Sequence, residues 1–152
     1  GSEMCIRDRS YILGGLVLIR FVVIVISCFL SPQDVEIYSL LIYIYIAYAA
    51  IISSFLGGIQ WGLIISHAEK VYSTFLPLVV SVLPPLIAWA SLLTIQNLHI
   101  SLIIVTVSYV VSILHDCYLH YLEKITSSWF ILMKLILSIS VILLTSILYI
   151  FV

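Results

Sequence analysis

Residues 37–66 read IYSLLIYIYIAYAAIISSFLGGIQWGLIIS, thirty positions without one charged side chain. An ordinary strand is over in about 5–6 residues, whereas about 20 helical residues, rising 1.5 Å each, cross a hydrocarbon core of about 30 Å. The run has no apolar/polar alternation at period two, so a membrane β-barrel does not fit it. It is a transmembrane helix, and the rest of the chain repeats the pattern. With this span taken as 37–65, four others fall at about 11–30, 71–95, 98–119 and 129–151. The expected fold is therefore all-α, an integral membrane bundle of five transmembrane helices. It forms one domain over residues 10–152, joined by connections too short for a separate soluble domain.

Composition excludes a water-soluble reading of the same 152 residues. Hydrophobic residues make up 64% and charged residues 9%, against roughly 45–50% and about 25% in soluble domains. The formal net charge of −1 leaves no basic footprint for a polyanion, so nucleic acid is excluded as a partner and the lipid bilayer is the first one implied. Three Cys with no CxxC pair make neither a disulfide framework nor a zinc ribbon. Residues 1–9, GSEMCIRDR, resemble translated vector or adapter sequence and are expected to be a non-native or disordered tail.

Local signals refine the spans. Ser31-Pro32-Gln33-Asp34 places an N-cap Ser, a Pro at the first helical position and an acid behind it, so the second helix is expected to begin at Pro32. Gly57-Gly58 is the expected place for that long helix to bend. Lys70, Lys124 and Lys134, with Arg7 and Arg9, all fall on one side of a five-span topology, and the other side carries only Asp34 and Glu36. The positive-inside rule then puts the N-terminus inside and the C-terminus outside.

The stretch Ser54-Phe55-Leu56-Gly57-Gly58-Ile59-Gln60-Trp61-Gly62 closes a Tyr- and Ala-rich helix. Ser81-Val82-Leu83-Pro84 and Trp89 follow, then Asp116, Trp129-Phe130 and Lys134. Together, over about residues 37 to 146, these resemble the domain-of-unknown-function family 3429, small multipass proteins that include transmembrane protein 69. The resemblance implies an inner membrane, bacterial or mitochondrial, and no established activity. It also implies that the position of Gln60 is often His in relatives.

Four features stand out as candidate sites. Ala50, Ser54, Gly58 and Gly62 recur every four residues, with Gly57, Gln60 and Trp61 beside them. Small residues at that spacing make a groove for another helix, from this chain, a second copy or another membrane protein. Pro84-Pro85, near Trp89 in the third span, removes two amide donors and is expected to kink its helix. Arg20 lies mid-span, where it must meet protein, water or deformed headgroups, reach the carbonyls freed by the two prolines, or mark an inner boundary. Asp116 and Lys134 stand nine residues either side of Ile125, so a hairpin turning there brings them to one depth as an ion pair, extended by His120 or Tyr121.

His115, Asp116, Cys117, His120 and His67 form the one group of potential metal ligands, but without a paired ligand motif they read as an interfacial helix end. No catalytic residue, cofactor site or metal site is expected. The function expected is a non-enzymatic structural or assembly factor working through helix–helix contacts. The alternative is a small transporter or a lipid- or heterocycle-binding protein using the bends at Gly57-Gly58 and Pro84-Pro85.

Overall fold

The computed structural model describes residues 2–31 and 34–152. Five helices follow one another: α1 (Ser2–Leu30), α2 (Val35–Ser66), α3 (Phe75–Leu93), α4 (Leu98–Tyr121) and α5 (Ser128–Phe151). There is no strand among the described residues. All five are long and apolar enough to cross a membrane, and the protein is a multipass all-helical bundle.

Neighbouring helices pack in chain order, α5 closes back onto α1, and α2 touches α4 across the middle. Short connections make consecutive helices antiparallel, and side-chain contacts mark the two ends. At one end the Tyr11 hydroxyl donates to the Trp129 carbonyl at 3.2 Å, and Ile64, Val71, Leu119 and Ile125 form a small apolar cluster. At the other, the Tyr38 hydroxyl donates to the Phe151 carbonyl at 3.3 Å and His99 lies edge-on to Tyr149.

The expected start of the second helix is corrected. α2 begins at Val35 and is capped by Asp34, whose carboxylate accepts from the amides of Glu36 and Ile37; Ser31 is not the cap, and Pro32 lies outside the described residues. An aspartate there satisfies two amides left free by the helix start and places a negative charge at the positive end of its dipole. α1 runs back through residues 2–9. Between Gly1 and Gly14 the chain meets no Pro or Gly, and extending a formed helix costs far less than nucleating one.

In lipid the hydrocarbon around a helix is as apolar as its neighbour's side chains, so close packing and hydrogen bonds must hold the bundle. Its centre shows both. Phe21 of α1 lies edge-on to Tyr45 of α2 at 5.3 Å between ring centres, and Tyr45 shares a 2.7 Å hydrogen bond with Thr145 of α5. Tyr109 of α4 donates to the Ala49 carbonyl of α2 at 2.8 Å. Each phenol thus carries its polar tip to a different helix.

The closest approach is between α2 and α3. Both Gly57-Gly58 and Pro84-Pro85 sit inside uninterrupted helices, so the glycine pair does not break α2. Pro85 has no amide to bond the Ser81 carbonyl, and that carbonyl faces Gly57. A Cβ on Gly57 would lie 2.8 Å from the Ser81 oxygen and 2.8 Å from Pro85 Cγ, whereas one on Gly15 would meet nothing within 4 Å. Gly57→Ala should therefore cost about 1–3 kcal/mol by overpacking, read as a lowered Tm in detergent, while Gly15→Ala leaves Tm unchanged or raised.

Candidate functional site: a buried polar layer

α4 carries Ser101, Ser108, Ser112 and Asp116, all buried. Their spacings of seven, four and four keep one face of the helix turned inward. The layer ends at Asp116, near the end of the bundle where the connections 67–74 and 122–127 lie. Lys134, in the second turn of α5, donates from Nζ to Asp116 Oδ1, and the two side chains are only 1% and 2% exposed. The antiparallel α4–α5 hairpin sets their common depth. Gln60 of α2, fully buried, donates from Nε2 to the same Asp116 oxygen at 2.9 Å. It also reaches the Ser112 carbonyl at 3.2 Å and hydroxyl at 3.3 Å. The Phe130 ring closes the other side of Lys134, with Nζ 5.5 Å from its centre.

The partners expected to extend the pair do not reach it. His120 Nδ1 is taken by the Thr126 carbonyl at 2.8 Å, and Tyr121 is exposed. Gln60 takes their place, because the α2–α4 contact brings it to the depth of Asp116. Among the described residues three buried atoms have no hydrogen-bond partner: Gln60 Oε1, Asp116 Oδ2 and Ser138 Oγ.

Two smaller clusters continue the layer. Ser108 Oγ donates to the Pro84 carbonyl at 2.7 Å, which spends its only proton, so Ser53 is the donor in the 2.8 Å Ser53–Ser108 bond. One hydroxyl pair thus ties α2, α3 and α4 together. Beside Asp116, His115 Nε2 lies 3.0 Å from Ser81 Oγ, linking α4 to α3. His67 and Cys117 stay apart from these groups, and among the described residues no three His, Cys, Asp or Glu side chains gather to hold a metal.

The remaining features separate. Of the small-residue stripe, Ala50 is buried, whereas Ser54, Gly58 and Gly62 are exposed with Trp61 beside them. Gln60 points inward rather than lining a groove. The inner contact belongs to Gly57, seated on Pro85, and that contact fills the crevice expected between the two bends. Trp89 is exposed. Arg20 is on the outer surface of α1, beside Val23, Ile24, Ile44 and Tyr48, and not at the Pro84-Pro85 carbonyls, because α3 packs on the far side of α2. Sequence reasoning passed over Ser53, Ser108 and Ser112, and met Ser81 only as part of the family resemblance. The helical spacing of the α4 serines with Asp116 was the available signal.

Chemically the layer neutralises one buried carboxylate with one buried ammonium and supports both with an amide. It defines a polytopic membrane protein whose helices are locked by polar contacts through the centre of the bundle. The chain is matched over residues 6–150 by the family described as Protein of unknown function (DUF3429), and it belongs to that family. No curated protein and no solved structure matches it.

Removing one partner of a sealed ion pair strands the other and costs about 3–5 kcal/mol, whereas removing both is far cheaper. Asp116→Asn and Lys134→Met should each cut membrane accumulation and Tm sharply, and the double variant should recover part of the loss. Strict additivity of the two single effects would contradict a coupled pair.

Proposed function

We propose that this protein is a non-enzymatic structural or assembly factor of an inner membrane, bacterial or mitochondrial, acting through helix–helix contacts on the outer face of α2. The observation that carries this reading is the uncovered row Ser54, Gly58 and Gly62. All three are exposed, and a Cβ added at Gly58 or Gly62 would meet nothing within 4 Å. Ser54 turns its hydroxyl back to the Ala50 carbonyl at 3.0 Å, which keeps the row smooth. Phe55 and Trp61, both exposed, flank the row as walls. Small residues lower the helix surface so that a second backbone can approach, the usual basis of association in lipid. Inside the bundle α2 already uses its opposite face, through Gly57 and Gln60.

A transporter or small-molecule site at the two bends is less well supported, because Gly57 and Pro85 are in contact there. The proposed orientation, N-terminus inside and C-terminus outside, rests on charge. Lys70 and Lys124 share one end of the bundle, and Asp34 and Glu36 the other. A periplasm-active reporter fused after Val152 should be active, and the same reporter placed between residues 67 and 70 silent; the reverse pattern would overturn the orientation.

Association through α2 is tested by cysteine crosslinking in native membranes. Gly62→Cys, in a background with Cys5, Cys28 and Cys117 replaced by Ser, should give a discrete adduct, of doubled mass for a second copy or another mass for a different protein. Adding Gly58→Leu should abolish the adduct and leave the monomer's Tm within a few degrees, since a Cβ added there meets nothing within 4 Å. An adduct indifferent to Gly58→Leu, or no adduct, would refute the contact.

A further inference from the structure

A groove of about 390 Å³ runs between α3 and α4 and is lined by Leu76, Val80, Val111, Leu114 and His115, with Tyr118 at one side. Leu76 and Leu114 are each 65% exposed, so the groove opens sideways toward the lipid chains. His115 is its one buried polar ring, only 4% exposed, and its protons can be placed by counting donors. Ser81 Oγ donates to the Pro77 carbonyl at 2.8 Å, which uses the hydroxyl's only proton. The 3.0 Å contact between Ser81 Oγ and His115 Nε2 therefore needs its proton from the imidazole. With the proton on Nε2, Nδ1 of the neutral ring is a bare acceptor. It makes no hydrogen bond among the described residues. His67 and His120 differ, each placing Nδ1 on a carbonyl, Leu63 at 2.9 Å and Thr126 at 2.8 Å.

We infer that the α3–α4 groove binds a membrane-soluble molecule carrying a hydroxyl donor on an apolar body, with His115 Nδ1 accepting the hydroxyl and the aliphatic walls holding the body. The amides on either side are committed to helix bonds, and among the described residues no side chain donates to Nδ1, which leaves it open to a donor from the groove. Depth agrees with this chemistry. One turn nearer the end of α4, the Tyr118 hydroxyl donates to the Glu123 carboxylate at 2.6 Å, which marks a polar boundary. His115 lies just inside it, where the hydroxyl of a lipid resides while its tail extends inward. A volume of this size accommodates a substituted ring or a stretch of acyl chain. Two sources share the chemistry: a glycerolipid with a free hydroxyl, and a prenylated hydroquinone.

The full chain, ¹⁵N-labelled at histidine and held in nanodiscs, is titrated with 1,2-dioctanoylglycerol and with a decyl-substituted hydroquinone, each beside its O-methyl ether. At least one hydroxyl compound should shift the His115 Nδ1 resonance saturably, with its ether at least tenfold weaker; which of the two does so identifies the source. His115→Phe, which removes the reporting ring, should abolish saturable retention of the compound by the nanodiscs above that of empty discs. Should that variant misfold, Leu114→Trp, at a lipid-facing position, should fill the groove and abolish binding with the bundle intact. Equal binding of hydroxyl and ether, binding that survives Leu114→Trp, or no saturable shift with either compound would overturn the assignment.

Discussion

A carboxylate and an ammonium held together away from water constrain nearly everything around them. Asp116 and Lys134 are each almost wholly covered, and among the described residues neither forms another ion pair. α4 and α5 are thereby fixed in register. A slide of one turn, about 5.4 Å, would leave both charges unpaired among apolar side chains. Gln60 extends the constraint to α2 by bonding the same carboxylate oxygen. Three of the five helices are thus located along the membrane normal by one anion.

The remaining contacts work within that frame. Ser53, Ser108 and the Pro84 carbonyl join α2, α3 and α4, while Tyr45 and Thr145 join α2 to α5. Each such bond is modest, about 0.6 kcal/mol on average in membrane bundles. Distributed along the bundle they select one arrangement among many of similar apolar contact. The two prolines of α3 fit the same scheme. A carbonyl that would be a liability in lipid turns toward a glycine hydrogen of α2, so the missing intrahelical bond becomes the place where two backbones come closest.

The five spans were legible because uninterrupted apolar length in lipid has few structural meanings. The depth shared by Asp116 and Lys134 was legible because a short hairpin makes residues equidistant from its turn neighbours. Azimuth was not. Gly57 and Gly58 are adjacent and identical in sequence, yet one is pressed against Pro85 and the other faces lipid. A helix that is apolar on every side has no amphipathic stripe to say which face is inside. The same ambiguity hid the role of Gln60 and left Arg20 open between several surroundings. The start of α2 was misread because Ser31-Pro32 fits a cap followed by a first helical position, whereas the acid behind it, Asp34, is the residue that caps the helix.

The shared charge also bears on how such a chain enters the bilayer. A nascent α4 carries Asp116 with no counter-charge, and Lys134 emerges only after the connection 122–127 and the first turn of α5. Either residue alone burdens its segment by up to about 2.5–3.5 kcal/mol on insertion scales. Lateral release from the translocation channel is accordingly easiest when the two segments leave together as a hairpin. A chain cut short between them keeps an uncompensated acid within its last span, a chemical mark by which membrane quality control can tell an unfinished molecule from a complete one.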